Sequence, residues 1–214
     1  MLKNDRCLIC QKPTKDLLSE KPQDKIFYQC QTCEFIFLDN NLRLNSDNEN
    51  ARYLEHDNNS TDQHYQDFVQ PLVDLVVASI KSGMLGLDFG CGRDSSVAYL
   101  LRQRDYKLEL YDPLFFPEDI MSDQKYDFIV ACEVVEHLFD PITEFKKIKN
   151  WLKPGGHFFI QTHFWEGQDI YKWYYAKDPT HVSIFNSESL KQISARVGFN
   201  QAKMISRRIA VLTK

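Results

Sequence analysis

Eight residues identify the type of fold: Leu87-Asp88-Phe89-Gly90-Cys91-Gly92-Arg93-Asp94. A largely apolar run ends at the two glycines, and a stretch with helical spacing of apolar residues follows them. Glycines at such a turn let the backbone pass close to a ligand without a Cβ in the way, and the helix that follows favours an anionic or carboxylate group. Strand, glycine turn and helix together predict the nucleotide-binding corner of a doubly wound α/β domain.

A second predicted strand, 107–111, ends at Asp112-Pro113. A carboxylate at the end of the strand after the glycine turn is placed to accept hydrogen bonds from both ribose hydroxyls of an adenosine. The alternative is an aspartate that opens a turn before proline. We favour the ribose interpretation because of the position of Asp112 relative to the glycines.

The N-terminal region contains two cysteine pairs, Cys7-x-x-Cys10 and Cys30-x-x-Cys33. Two such pairs at this separation match a tetrahedral four-cysteine zinc site, and the segment is too short to bury enough surface for folding alone. The alternative is two disulfides, which we favour less because the N-terminus shows no export signal and cytosolic thiols stay reduced. We therefore expect Cys7, Cys10, Cys30 and Cys33 to bind one structural Zn²⁺.

Length and charge narrow the class of protein. The chain has 214 residues, enough for one α/β domain with a small appendage. No apolar run approaches the roughly 18 residues of a membrane helix, and no apolar signal region is present, so we expect a cytoplasmic protein without membrane association. The net charge of −4 argues against broad electrostatic contact with nucleic acid. The sequence does not indicate an oligomeric state.

Three regions are predicted along the chain: a zinc ribbon (1–44), a linker and helical connector (45–83) and the α/β core (84–214). The polar, Asn-rich stretch 45–60 indicates a loop. Pro71 interrupts the helical spacing of the connector and predicts a kink or two consecutive helices. No convincing strand is found over 113–125. The predicted strands of the core are 84–89, 107–111, 126–131, 157–162, 201–206 and 209–213, with the last two forming an antiparallel edge.

Two further segments connect the glycine turn with a known family. Residues 126–141 read YDFIVACEVVEHLFDP, and residues 152–156 read LKPGG. Together with Asp88-x-Gly90-x-Gly92 and Asp112, these segments resemble class I S-adenosylmethionine (SAM)-dependent methyltransferases over about 84–214. The later stretch 173–182 and the helix start at 186 resemble the small-molecule branch of that family.

The resemblance implies a doubly wound, mostly parallel, seven-stranded Rossmann-like methyltransferase sheet. It also implies an enzyme that transfers a methyl group from SAM to a small-molecule acceptor. Cysteine knuckles ahead of such a domain also resemble arrangements in sugar C-methyltransferases and in one group of ribosomal RNA methyltransferases. An RNA methyltransferase that uses the ribbon for substrate binding, or a non-catalytic SAM-binding regulator, therefore remains an alternative. In one departure from the family, Asp94 replaces a third glycine, where its side chain would crowd or contact the methionyl end of SAM.

The resemblance also implies roles for individual residues. Asp88 and the glycine turn would hold the methionyl moiety, Asp112 the ribose, and the backbone at Cys132 and Glu133 the amino group of the cofactor. Asp119 or a neighbour would meet the adenine. A solvated loop face is the alternative for Glu133 and Glu136. The implied cofactor-binding residues are Asp88, Gly90, Cys91, Gly92, Asp112, Pro113, Cys132 and Glu133.

Two histidines are the main candidates for a catalytic base, which methyl transfer needs only if the acceptor loses a proton. His137 lies at the carboxyl edge of the predicted sheet, although it could simply cap a turn by a hydrogen bond. His181 follows the aromatic-rich stretch 164–175, which would wall an acceptor pocket or pack an irregular excursion. A turn could bring Asp178 to His181, and His163 is a third candidate. For Tyr53, His56 and Tyr65, linker packing is favoured over a role as a cover for the cofactor.

Overall fold

The computed structural model describes residues 5–17, 25–54, 60–116 and 124–214. Asp119, a candidate contact of the adenine, and His56, for which linker packing was favoured over a role as a cover, lie outside these residues. The strands are β1 Thr14–Leu17, β2 Phe27–Cys30, β3 Ile36–Leu38, β4 Leu85–Phe89, β5 Lys107–Tyr111, β6 Tyr126–Cys132, β7 Leu152–Gln161, β8 Ser183–Ile184, β9 Gln201–Met204 and β10 Ile209–Thr213. The α-helices are α1 Ser46–Leu54, α2 Gln63–Ser79, α3 Ser96–Arg102, α4 Pro141–Trp151 and α5 Ser187–Val197.

The central sheet has the strand order β5-β4-β6-β7-β10-β9. The first four strands of that order are parallel, whereas β10 pairs antiparallel with both β7 and β9. Helices α2 and α3 pack on one face, and α4 and α5 pack on the other. The predicted doubly wound, mostly parallel sheet is therefore confirmed. The described residues contribute six strands to this sheet, where seven were expected.

Strand β6 shows how the sequence builds this two-faced sheet. All of its residues from Phe128 to Ala131 are buried, as is typical of a central parallel strand. Because side chains alternate along a strand, Phe128 and Val130 face α2 and α3, whereas Ile129 and Ala131 face α4 and α5. The end of β6 is thereby fixed between two packed layers, and the loop that follows starts from a rigid position.

Two expectations about the connector are changed by the structure. The prediction of a loop over 45–60 is wrong for 46–54, because the Asn45 side chain accepts a hydrogen bond from the Asn48 N–H (2.9 Å) and starts helix α1. Helix α2 is a single helix that continues through Pro71, so the alternative of two consecutive helices is wrong. Its buried stripe, formed by Val69, Leu72, Val73 and Val76, packs against the sheet and α3, and this packing holds the helix together across the proline.

The N-terminal ribbon is joined to the rest of the protein through a second sheet, β1-β2-β3-β8. Strand β8 comes from the predicted methyltransferase region and pairs antiparallel with β3. The rings of Phe35 in the ribbon and Phe185 after β8 lie 5.0 Å apart, within one continuous apolar core. No helix among the described residues has the length and hydropathy of a membrane span.

Gly86 on β4 lies opposite Phe128 on β6, and a Cβ at Gly86 would be 2.3 Å from the Phe128 ring. We expect Gly86→Ala to destabilise the protein by about 1–3 kcal/mol, because overpacking displaces the ring or the strand. Chemical denaturation measures this loss. In the double variant with Phe128→Leu the loss should be smaller than the sum of the single losses, and strict additivity would contradict the proposed clash.

Candidate functional site

The glycine turn after β4 has a backbone that other residues adopt only with strain. Gly90 and Gly92 have φ angles of +73° and +67°. A Cβ at Gly90 would lie 2.7 Å from the methyl groups of Val134. The Gly90 N–H donates to the Tyr111 carbonyl on β5 at 2.7 Å, which ties the turn to the end of the neighbouring strand.

Two aspartates hold the turn from either side. Asp88, 2% exposed, accepts a hydrogen bond from the Ser95 hydroxyl, and burial raises the pKa of its carboxyl to about 6. Asp112 accepts from the Gly92 N–H at 3.0 Å and, through its other oxygen, from the Leu114 N–H at 2.9 Å. The hydrogen bond from the Gly92 N–H to the Asp112 carboxylate thus joins the ends of β4 and β5.

Asp94, which replaces the third glycine of the family pattern, lines the cavity and is hydrogen-bonded to the segment ahead of α2. Its carboxylate accepts a hydrogen bond from the Ser60 N–H at 2.9 Å, and the Ser60 carbonyl accepts from the Gln66 side chain at 2.7 Å. Asp94 therefore fastens the start of α2 to the glycine turn.

A cavity of about 1270 Å³ opens at the carboxyl edge of the sheet. This volume exceeds the range of roughly 300–1,000 Å³ that is usual for one small ligand. The eight implied cofactor-binding residues and the two main candidate bases all line it: Asp88, Gly90, Cys91, Gly92, Asp112, Pro113, Cys132, Glu133, His137 and His181. The structure therefore brings residues from four separate segments to one place.

On the side of the cavity beyond β6, two glutamates form a buried hydrogen-bonded group. Glu136 is 1% exposed and accepts hydrogen bonds from the hydroxyls of Thr162 (2.9 Å) and Tyr175 (2.5 Å). The Tyr175 hydroxyl also lies 3.1 Å from Glu133. Burial, followed by the neighbouring Glu136, raises the pKa of Glu133 to about 9. The alternative of a solvated loop face is therefore wrong for Glu136, whereas Glu133 is half-buried at the cavity wall.

His137 and His181 lie beside this pair, with ring centroids 4.8 Å apart. His137 Nδ1 is 3.0 Å from the Thr180 carbonyl, and His181 Nδ1 is 2.6 Å from the Tyr175 carbonyl. A carbonyl only accepts, so Nδ1 carries a proton in both rings. Burial lowers the pKa of His181, which favours the neutral form of its ring.

Asp178, which the sequence placed near His181, orients other groups. Its carboxylate accepts from the Thr180 hydroxyl (2.6 Å) and forms an ion pair with Arg52 of α1 (2.8 Å). His163 also lines the cavity, with Nδ1 3.1 Å from the Tyr174 hydroxyl.

Helix α1 borders the cavity on its outer side. Tyr53 lies edge-on to His137, with ring centroids 5.4 Å apart, and donates a hydrogen bond to Glu49 at 2.8 Å. Both residues line the cavity, as does Tyr65 of α2. The cover therefore includes two of the three residues for which linker packing was the favoured interpretation.

Sequence analysis missed the parts of the site that depend on distant contacts. Thr162 and Tyr175 were not singled out as partners of Glu136, because nothing in their local pattern indicates that they converge. The one available signal was the aromatic-rich stretch 164–175, which was expected to wall the cavity but without named contacts.

The four N-terminal cysteines form a second cluster, remote in sequence from the cavity residues. Their sulfur atoms lie within 4.8 Å of one another, with Cys7 and Cys33 at 3.6 Å and Cys10 and Cys30 at 3.3 Å. These distances exceed the S–S bond length of about 2.05 Å and are close to the roughly 3.8 Å expected for sulfurs around Zn²⁺. The disulfide alternative is therefore not supported.

The two knuckles have the same backbone geometry. Cys7 Sγ accepts from the N–H groups of Ile9 and Cys10, and Cys30 Sγ accepts from those of Thr32 and Cys33. The residue after each knuckle is left-handed, with φ of 60° at Gln11 and 57° at Glu34. Backbone N–H donors favour thiolates, so the cluster fits a structural Zn²⁺ held by four sulfurs.

Comparisons with known proteins place these findings in context. Residues 61–203 match the family described as "Methyltransferase domain". No curated protein sequence is significantly similar to the chain.

Solved structures share the fold. A 1,6-didemethyltoxoflavin-N1-methyltransferase from Burkholderia thailandensis, crystallised with 1,6-didemethyltoxoflavin and S-adenosylhomocysteine, is 17% identical. The match covers 92% of this chain and 96% of that one, with a TM-score of 0.55. An O-methyltransferase family protein from the same organism is 12% identical over 78% of this chain and 62% of that one, with a TM-score of 0.53.

We expect the purified protein to contain one zinc ion per chain, and Cys30→Ser with Cys33→Ser to lose it. Because the ribbon shares a core with the central sheet, the loss should destabilise the whole protein by several kcal/mol. Metal analysis and thermal denaturation measure both effects. Cys91→Ser, which removes a buried thiol outside the cluster, is the control and should retain zinc. Full stability without zinc would contradict a structural role.

Proposed function

Since this chain belongs to the methyltransferase-domain family and is a SAM-dependent methyltransferase, we propose that it transfers the methyl group of SAM to a small-molecule acceptor. The observation that carries the proposal is the division of the cavity into two chemically different halves. The glycine turn, Asp88 and Asp112 lie on one side, and the pair Glu133 and Glu136 with two histidines lies on the other.

In the cofactor half, the proposed contacts follow from the hydrogen bonds of the turn. The backbone of Gly90 and Gly92 would lie along the methionyl moiety, where a Cβ is absent. Asp112 would exchange its bond to the Gly92 N–H for the two ribose hydroxyls of SAM. The end of β6 at Cys132 and Glu133 would face the amino group of the cofactor.

In the acceptor half, the main task of the protein is to position the acceptor, because the methyl donor is already activated. The donor is a sulfonium, so the acceptor atom must lie about 3 Å from the methyl carbon, on the side opposite sulfur. Tyr175, His137 and His181 form the wall where such an acceptor would lie. Helix α1 lies over this wall through the contact of Tyr53 with His137, and such a cover favours a small acceptor over a polymer.

The ribbon supports the acceptor wall. Lys25 donates hydrogen bonds to the carbonyls of Ala176 (2.8 Å) and Asp178 (2.7 Å), and the Tyr171 hydroxyl donates to the Leu17 carbonyl (2.6 Å). Tyr175 packs in one apolar cluster with residues of β2 and β3. We therefore assign 1–44 as a ribbon that positions the wall, 45–83 as the cover and 84–214 as the catalytic domain.

Asp112→Ala should weaken binding of SAM and of S-adenosylhomocysteine about 10- to 100-fold, because hydrogen bonds to a charged group contribute about 1.5–3 kcal/mol. Isothermal titration calorimetry measures both affinities. Asp74→Ala removes the same charge from an exposed position of α2 and should bind as the wild type does. Equal affinity of wild type and Asp112→Ala would remove Asp112 from the cofactor site.

The nature of the acceptor is tested by methyl transfer from radiolabelled SAM. We expect label to enter a small-molecule fraction of a cell extract, at a rate that changes little between low and physiological salt. Nuclease treatment of the extract should leave that rate unchanged. Incorporation into RNA, with binding that falls steeply as salt increases, would instead establish the RNA alternative.

A further inference from the structure

Three side chains of the acceptor half form a cluster of metal-binding type. One ligand atom each of Glu136, His137 and His181 lies within 4.8 Å of the others. Ligands around one ion at about 2.0–2.2 Å are roughly 3–4 Å apart, so a small inward movement would bring all three into coordination. The two histidines come from different segments, one next to Glu136 and the other after the aromatic-rich stretch.

The hydrogen bonds behind both histidines fix the tautomer that a metal requires. Each Nδ1–H donates to a backbone carbonyl, that of Thr180 for His137 and that of Tyr175 for His181. Metal-binding histidines generally donate their second N–H to a carbonyl or carboxylate in this way, which orients the ring and raises its basicity. In both rings, Nε2 is therefore the atom suited to coordinate.

The carboxylates provide an independent indication. Glu136 is held in place by Thr162 and Tyr175, as an outer ring of hydrogen bonds holds a ligating carboxylate. Glu133 Oε1 is buried and has no hydrogen-bond partner among the described residues. The backbone of Glu133 is left-handed, with φ of 53°. A buried carboxyl group at Glu136 beside a carboxyl group with an unsatisfied buried oxygen at Glu133 is an arrangement that a bound cation would satisfy.

We propose that Glu136, His137 and His181 bind one divalent transition-metal ion beside Glu133, at the acceptor end of the cavity. Two imidazoles with a carboxylate favour Mn²⁺, Fe²⁺, Co²⁺ or Zn²⁺ over Ca²⁺. This site is separate from the four-cysteine cluster and differs from it in chemistry, since it contains no thiolate. Ligation uses the Nε2 lone pairs, so His137 and His181 act as ligands rather than as free bases.

Such an ion would also define the acceptor class, an inference that rests on the proposed function. Glu133, His137 and His181 border the cavity, so the open coordination positions face the acceptor. An acceptor with two neighbouring oxygens, such as a catechol or a vicinal diol, would chelate the ion. The bound hydroxyl loses its proton to water, since the ion lowers its pKa. Its oxygen then forms the new O–CH₃ bond as the S–CH₃ bond breaks, and neutral S-adenosylhomocysteine leaves.

Electron paramagnetic resonance with Mn²⁺ tests the site on the full-length, zinc-containing protein. Mn²⁺ is the probe because thiolate sites select softer ions, so the ribbon does not compete for it. We expect one Mn²⁺ per chain in the wild type, and binding at least 10-fold weaker in Glu136→Gln and in His181→Ala. His163→Ala changes a histidine that lines the same cavity outside the cluster, and it should bind Mn²⁺ as the wild type does.

Calorimetry with S-adenosylhomocysteine on the same samples separates the possible failures. Retained cofactor binding in Glu136→Gln and His181→Ala shows that both variants are folded. A wild type that binds no Mn²⁺, or variants that bind it unchanged, would overturn the metal site while the proposed function stands. A protein that binds Mn²⁺ but no cofactor would overturn the proposed function alone. Addition of catechol should change the Mn²⁺ spectrum, and an unchanged spectrum would overturn the acceptor class.

Discussion

The junction of β4 and β5 is the constraint on which the rest of the structure depends. Parallel pairing sets Asp88 opposite Leu110 and Phe89 opposite Tyr111, so both strands end at the same level. Two hydrogen bonds then join the ends of these strands. The Gly90 N–H donates to the Tyr111 carbonyl, and the Gly92 N–H donates to the Asp112 carboxylate. These bonds need a left-handed backbone at both Gly90 and Gly92, a conformation that glycine adopts without strain. A ligand cleft with backbone on one side and a carboxylate on the other results directly.

The opposite half of the cavity is held by long-range contacts instead. The four cysteines place β2 and β3, β3 pairs with β8, and Lys25 fixes the carbonyls on either side of Lys177. This order of contacts sets the position of Tyr175 and, through its carbonyl, the ring of His181. The ribbon is thus part of the structural support of the site, and its folding is coupled to the geometry of the acceptor wall.

Sequence reasoning succeeded where the determining interactions are local. The glycine turn, the cysteine knuckles and the strand 126–131 each have their signal within a few residues, and all three are found as predicted. It failed for α1, whose polar composition resembles that of a loop, because the helix depends on a cap at Asn45 and on the contact of Tyr53 with His137. The burial of Glu136 was equally hidden, since its partners Thr162 and Tyr175 are far along the chain. The role of Asp94 was hidden for the same reason. The sequence showed that Asp94 departs from the family pattern, but it did not show the hydrogen bond from the Ser60 N–H to its carboxylate.

The central claim is that the ends of β4 and β5 together bind the adenosyl group of SAM. A crystal structure with S-adenosylhomocysteine tests this most directly. We expect the Asp112 carboxylate within hydrogen-bond distance of both ribose hydroxyls, the methionyl moiety along Gly90 and Gly92, and the sulfur directed at the wall formed by Tyr175 and His181. Cofactor density elsewhere on the protein, with Asp112 still bonded to the Gly92 N–H, would contradict the account.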